Sequence, residues 1–251
     1  MLEMRQEIAW LLKEKYSGEK TKGFFTDCAR LRAGEPLGYI ICWVPFLDCK
    51  IWLDSKPLIS RPETEYWVER AIKLIAERAA TQSPRILDLC AGSGCIGVAV
   101  AKALPHTHVD FAEIDSAHHT TITKNLQENL TIIYDSKIYA GDLFAEVPEQ
   151  TKYDFILSNP PYIDPALDRT EASVKDYEPH QALYGGDAGL ELIGKIIAKA
   201  PDYLVPGGEL WLEHEPEQSE RIQVLASNTG FAITTHCDQY DLERYSRLVL
   251  Q

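Results

Sequence analysis

Tyr153-Asp154-Phe155-Ile156-Leu157-Ser158-Asn159-Pro160-Pro161-Tyr162 decides how this chain reads. Its apolar first half predicts a buried strand. The two prolines mark the strand's carboxyl end, because neither can donate a ladder hydrogen bond. In open α/β sheets, ligands bind in crevices at that end. There Asn159 offers a side-chain carbonyl, and the prolines stiffen the turn while leaving backbone carbonyls without local N–H partners. Such acceptors suit an exocyclic NH2 group, and Tyr162 supplies an aromatic face for a flat amide or base. The plainer alternative is a strand ending in an ordinary turn.

Pro84 to Gly97 is the second informative stretch. Arg85-Ile86-Leu87-Asp88-Leu89 predicts a strand, Cys90-Ala91-Gly92-Ser93-Gly94-Cys95-Ile96-Gly97 a glycine-rich turn, and Val98 to Leu104 a helix. The glycines let a ligand approach the backbone, and the helix amino terminus favours electron-rich groups. Gly92, Gly94 and Gly97 satisfy the spacing of a dinucleotide loop, a weak match by itself. Asp88 argues against a dinucleotide. A carboxylate just before the loop repels a pyrophosphate and attracts a sulfonium and an ammonium, so the expected ligand is S-adenosylmethionine. The next strand, Val109-Asp110-Phe111-Ala112-Glu113, ends in a carboxylate placed to accept both ribose hydroxyls, with Asp115 as the neighbouring alternative. A helix from Ala117 to Glu128 and a strand near Lys137 to Ala140 follow. Gly141-Asp142-Leu143-Phe144 then closes the adenine end, where Asp142 can accept from the adenine amino group and Leu143 or Phe144 can cover its face.

Upstream, residues 2–16 have helical spacing and stop at Ser17-Gly18. A second short helix is expected from Thr26 to Ala33, with Thr26 or Asp27 near its cap and Gly34-Glu35-Pro36 at its end; together the two are too short to hold a core alone. Tyr39-Ile40-Ile41-Cys42-Trp43 and Phe46 to Leu53 predict a hairpin around a proline-containing turn. Its aromatics Tyr39, Trp43, Phe46 and Trp52 form either a partner-binding face or packing against the main domain. Arg61-Pro62-Glu63-Thr64-Glu65 opens a helix to about Ala80, with Pro62 at the first helical position and two carboxylates favouring the helix dipole. Arg61 and Glu63 either border the cleft or serve the helix alone. Residues 163–189 read as a long polar loop of the kind that forms lids and substrate loops.

The carboxyl-terminal part alternates again: a helix from Leu190 to Leu204, a tight turn at Pro206-Gly207-Gly208, a strand Glu209-Leu210-Trp211-Leu212, and a helix from Pro216 to Asn228. Strands Phe231 to Cys237 and Ser246 to Leu250 come last, and about eight residues between them are too few for a parallel crossover, so they pair antiparallel. The total is seven strands, six of them parallel, in an α/β fold.

The 251 residues suit one large α/β domain with a small appendage. No apolar run is long enough to span a membrane and no signal-peptide pattern opens the chain, so a soluble, cytoplasmic protein is expected. Six cysteines show neither CxxC pairs nor zinc spacing and are expected reduced and buried; the seven histidines form no metal pattern, and His118-His119 reads as a solvated helix start. A net charge of −13 without a Lys/Arg cluster weighs against a nucleic-acid substrate.

Taken together, these motifs resemble the peptide chain release factor glutamine methyltransferase family, over about residues 30 to 251. Asn159 to Tyr162 is shared widely among methyltransferases of planar nitrogens; its combination with Leu58-Ile59-Ser60-Arg61-Pro62-Glu63-Thr64-Glu65 is specific. Glu35 to Ile40, Asp88 to Gly94, Gly141-Asp142, Glu178-Pro179 and Ala182 to Leu190 also match. Departures are Cys42 where Gly is usual, Cys90-Ala91 for Gly-Thr, Leu143 where some members have an aromatic, and Glu213-His214-Glu215 for Glu-Ile-Gly.

The resemblance implies a Rossmann-like class I methyltransferase sheet of seven strands, the last antiparallel, preceded by a small helical segment and a β-hairpin. The expected boundaries are 1–36 for the helical segment, a reduced substrate-recognition domain, 37–60 for the hairpin linker, and 61–251 for the S-adenosylmethionine-dependent domain. It also implies cofactor contacts from Cys90, Ala91, Gly92, Ser93, Gly94, Glu113, Leu143 and Asn159, to which the reading of the residues themselves adds Asp88 and Asp142. The substrate glutamine, in the GGQ motif of a release factor, would lie against Asn159, Pro160, Pro161 and Tyr162, with Arg61 and Glu63 nearby; Asn159, Pro160 and Tyr162 would carry catalysis. A monomer without metal is expected. The competing readings are a nucleic-acid amino-methyltransferase, another protein-glutamine methyltransferase, and a non-catalytic methyltransferase-like binding module.

Overall fold

The computed structural model describes residues 2–79, 82–131, 135–167 and 170–251. Helices α1 (Leu2–Glu14) and α2 (Lys22–Arg32) are separated by a turn with Ser17 and Gly18 at positive φ. α2 starts earlier than expected, because the Thr21 hydroxyl accepts the Phe24 N–H and caps it. Asp27 is buried mid-helix, where Lys15, Tyr16 and Arg30 all donate to its carboxylate. Tyr39-Ile40-Ile41 is helical rather than extended: α3 (Leu37–Ile41) follows Pro36 and is buried throughout. A continuous apolar run carries no period that separates strand from helix. Ile40 and Ile41 pack with Leu11, Phe24, Cys28 and Leu31, so the amino-terminal helices do hold a small core of their own.

Cys42, at φ 67, turns the chain into the hairpin of β1 (Trp43–Phe46) and β2 (Cys49–Trp52). Pro45 lies inside β1, and the turn is made at Leu47-Asp48. The outward N–H groups of Lys50 and Trp52 donate to Asn129 and Asn125. Tyr39 and Phe46 are buried in the main core, whereas Trp43 and Trp52 flank Lys50, whose Nζ lies 4.4 Å from each ring. The long helix α4 (Pro62–Ala79) follows; its expected last residue, Ala80, lies outside the described residues.

Seven strands form the main sheet: β3 (Arg85–Leu89), β4 (His108–Glu113), β5 (Ile138–Ala140), β6 (Tyr153–Ser158), β7 (Leu204–Glu213), β8 (Phe231–Cys237) and β9 (Glu243–Leu250). Their order is β5-β4-β3-β6-β7-β9-β8, and β9 alone runs against the other six. β7 begins before the expected strand, and Pro206-Gly207-Gly208 forms an irregularity in its pairing with β6, not a separate turn. Successive residues alternate between two buried faces: Ile86, Phe155, Leu157 and Trp211 on one, Leu87, Leu89, Ile156 and Leu210 on the other. α4, α5 (Cys95–Ala103) and α6 (Ser116–Asn129) contribute to the first core; α8 (Glu191–Lys199) and α9 (Ser219–Ala226) contribute to the second. α8 and α9 are shorter than expected because 3₁₀ turns take over at Ala200–Tyr203 and Pro216–Gln218. Cys42 and Cys237 are exposed, against the expectation of six buried thiols.

In its described residues, segment 163–189 is not an open loop. It contains α7 (Ala172–Tyr177), Ile163 pairs with Tyr184, and the Gly185 N–H donates to the Ile163 carbonyl. Asp168-Arg169 lies outside the described residues.

α5 approaches β4 closely enough that a Cβ on Gly97 would lie 2.8 Å from Cζ of Phe111. Gly97→Ala should therefore destabilise the protein by about 1–3 kcal/mol through overpacking, read from urea denaturation midpoints.

Candidate active site

Leu89 and Ser158 are register partners at the carboxyl ends of β3 and β6, and the Ser158 hydroxyl donates to the Leu89 carbonyl at 2.8 Å. The chain winds from β3 through β4 to β5 on one side, then returns to place β6 on the other. The glycine-rich turn and the Asn-Pro-Pro-Tyr turn thus leave the sheet side by side at its topological switch point. Two cavities open there. The smaller, about 150 Å³, is bordered by Cys90, Gly92, Glu113, Asp115, Asp142, Leu143 and Pro161. The larger, about 360 Å³, is bordered by Arg61, Pro160, Tyr162, Asp164 and Gln218. Leu58, Asn159 and Ala182 form a wall shared by both.

Glu113 ends β4 buried but with both carboxylate oxygens held: Oε2 accepts the Gly92 N–H at 2.7 Å, and Oε1 accepts the Asp115 N–H at 2.8 Å. These bonds lock the glycine turn to the strand end. Asn125 of α6 adds a second brace, donating to the Ser93 and Trp52 carbonyls and so tying the turn to the hairpin. His118 does lie at a helix start, in the first turn of α6, but it is buried beside the same cavity and not solvated, its Nδ1 2.8 Å from Ser55 Oγ.

Asp88 is placed differently from the expectation. Strand alternation turns it to the face covered by α5, where Oδ2 accepts the Gly97 N–H at 2.8 Å and Oδ1 has no partner. It is fully buried and borders neither cavity. Burial, and secondarily the charge of Glu113, pushes its pKa from 3.8 up to about 8. The charge argument for the ligand therefore passes from Asp88 to Glu113, Asp115 and Asp142. Ala91, Ser93 and Gly94 shape the turn from behind without bordering the cavity, and Glu63 borders neither cavity.

On the Asn159 side, the sequence reading missed the decisive partners. Asn159 Nδ2 donates to Thr64 Oγ1 at 3.1 Å, in the first turn of α4. Thr64 Oγ1 donates to Glu213 Oε2 at 2.8 Å, at the end of β7, and Trp67 Nε1 donates to the same oxygen at 2.6 Å. The Tyr162 hydroxyl donates to Glu213 Oε1 at 2.9 Å, so burial and this carboxylate both raise the Tyr162 pKa. Burial also raises that of Glu213, opposed by its hydrogen bonds. Gln218 donates to the Tyr162 and Ala188 carbonyls and accepts the Glu215 N–H, fastening the turn to segment 185–189. Arg61 bonds Glu178 at 2.6 Å, and Glu178 also accepts the Ile59 N–H. Among the described residues, Asn159 Oδ1 and the Pro160 carbonyl make no hydrogen bond, leaving two acceptors at the boundary of the cavities.

Residues 67–175 match the family described as Methyltransferase small domain. The chain is 35% identical over 221 residues to a release factor glutamine methyltransferase of Bordetella pertussis, covering 87% of this chain and 79% of that one. It is 37% identical over 204 residues to the Geobacter sulfurreducens protein of that description, covering 81% and 69%. Its fold is similar to a crystal structure of a methyltransferase from Pyrococcus furiosus, with a TM-score of 0.58 at 19% identity over 88% of this chain and 95% of that one.

A carboxyl with a raised native pKa costs stability once the unfolded chain can release its proton and the native state cannot. Asp88 therefore lowers stability progressively as pH rises from about 4 to about 8. Its slope approaches about 1.4 kcal/mol per pH unit and vanishes above the native pKa. In urea denaturation between pH 6.5 and 8, Asp88→Asn should flatten the decline relative to the parent, since the histidines and the amino terminus that titrate in this window are common to both proteins and cancel in the difference.

Proposed function

This chain belongs to the release factor glutamine methyltransferase family, and from that premise we propose that it methylates the side-chain amide nitrogen of the GGQ glutamine in a release factor, using S-adenosylmethionine. The observation that carries this reading is the shared wall. Asn159 borders both cavities, and its Oδ1, like the neighbouring Pro160 carbonyl, has no hydrogen-bond donor among the described residues.

The smaller cavity suits the cofactor by its donor set. Glu113, Asp115 and Asp142 face it, and no Lys or Arg does among the described residues. Carboxylates favour ribose hydroxyls and an ammonium and repel a pyrophosphate. Gly92 and Cys90 would let the backbone approach, and Leu143 would cover a flat base. When bound, S-adenosylmethionine supplies an electrophilic methyl group on a sulfonium.

An amide nitrogen is a poor nucleophile because its lone pair is delocalised. Asn159 Oδ1 and the Pro160 carbonyl each accept one N–H of the substrate amide, which turns the nitrogen toward the cofactor cavity. Tyr162, held by Glu213, supplies the face on which the amide lies. Positioning supplies most of the rate, with electrostatic help as positive charge develops on the nitrogen. No strong base is required, since the nitrogen releases a proton after gaining the methyl group.

Residues 61–251 carry the chemistry, residues 37–60 link, and residues 1–36, packed with α3, dock the release factor. The chain works in the cytoplasm as a monomer. Its net charge of −13 supports a protein substrate over a nucleic acid, and no helix among the described residues is long and apolar enough to cross a membrane.

Asn159→Ala should abolish methylation of co-incubated release factor, followed by mass spectrometry of the glutamine peptide. Calorimetry should still detect S-adenosylmethionine binding; near-normal turnover in this variant contradicts the mechanism.

A further inference from the structure

We propose that Thr64 and Glu213 are positioning residues that set which way the Asn159 carboxamide faces, making its oxygen, and not its NH2, the group offered to the substrate. This rests on the reading of Asn159 as the amide acceptor.

A carboxamide has two similar ends, and reversing it would turn an acceptor site into a donor site. A reversed Asn159 would oppose the NH2 of a substrate amide with its own NH2. Something must therefore fix its direction, and the hydrogen-bond polarity of this corner does so. An indole N–H can only donate. With Glu213 ionised, Oε2 accepts from Trp67 Nε1 at 2.6 Å and has no hydrogen to offer Thr64. Thr64 Oγ1, 2.8 Å from the same oxygen, must then spend its single hydrogen on Glu213. Only lone pairs remain on the side of Thr64 that faces Asn159, at 3.1 Å, and they accept Nδ2–H and reject Oδ1. Asn159 Oδ1 is left pointing away from Thr64.

The chain of partners is rigid. Glu213 is 0% exposed and Thr64 1%. Glu213 is held by three donors from two elements, and Thr64 sits on the first turn of a long helix anchored by Trp67. Tyr162 shares the carboxylate, so the acceptor side chain and the aromatic face are registered to a single buried group. Glu63, one residue away and better suited by charge to a direct role, takes no part.

The test compares Thr64→Val, which keeps shape and removes the hydroxyl, with Thr64→Ser, which keeps it. With release factor as substrate, Thr64→Val should lower kcat by on the order of 100-fold. Its KM for release factor and its S-adenosylmethionine dissociation constant should move by less than about three-fold. Thr64→Ser should recover most of the lost kcat. A Thr64→Val kcat within about three-fold of the parent, beside an inactive Asn159→Ala, overturns the proposal and leaves the Asn159 reading intact. An active Asn159→Ala overturns both. Because Thr64→Val leaves Glu213 short of a donor and can impair folding, side-chain amide NMR of the unsubstituted protein gives a separate reading. Cross-relaxation between the Asn159 Nδ2 protons and the Thr64 side chain, with slowed exchange, is expected; rapidly exchanging protons with no Thr64 contact overturn it.

Discussion

Parallel pairing of β3 with β6 is the constraint on which the rest of the molecule depends. Leu89 opposite Ser158 brings the ends of two strands far apart in sequence into register at the switch point. The glycine turn and the Asn-Pro-Pro-Tyr turn are neighbours for that reason alone. β7 pairs with β6 so that Leu212 opposes Ser158, which sets Glu213 level with Asn159. α4 then crosses the same end and lowers Thr64 between them. A one-residue slip of β6 would turn Asn159 away from the cavity wall and break each of these contacts.

The site combines two electrostatic arrangements. Beside the smaller cavity, backbone N–H groups of Gly92 and Asp115 hold the Glu113 carboxylate in place. Beside the larger cavity, the Glu213 carboxylate is withdrawn behind Thr64, Trp67 and Tyr162, all of which donate to it. At the Asn-Pro-Pro-Tyr turn itself, the acceptors left without a donor among the described residues are neutral: an amide oxygen and a proline carbonyl.

Most of the fold was legible in the sequence. Alternating strand and helix periods, Gly and Pro punctuation and the short last connection yield seven strands with one reversed. Failures came where local pattern is silent. Tyr39-Ile40-Ile41 is apolar at every position, so only packing could make it a helix. Thr21 caps the helix in place of Thr26 or Asp27, and Asp27 is instead buried mid-helix with three donors on its carboxylate. The glycine turn, Glu113 and Asn159 could be singled out as candidates because each reads within one motif, and the fold brings them to neighbouring strand ends. Thr64 and Glu213 could not, since their roles exist only through contacts 95 and 149 residues away in sequence. Asp88 was misread for a related reason. Its charge was taken from its residue type, whereas strand alternation had already turned it toward α5 and a helix N–H.

The most direct test of this account is a crystal structure of the protein with S-adenosylhomocysteine and a glutamine peptide from a release factor. The account predicts the glutamine amide nitrogen within about 3.2 Å of both Asn159 Oδ1 and the Pro160 carbonyl, and facing the cofactor sulfur. A glutamine bound elsewhere, or an Asn159 whose NH2 meets the substrate, would contradict it.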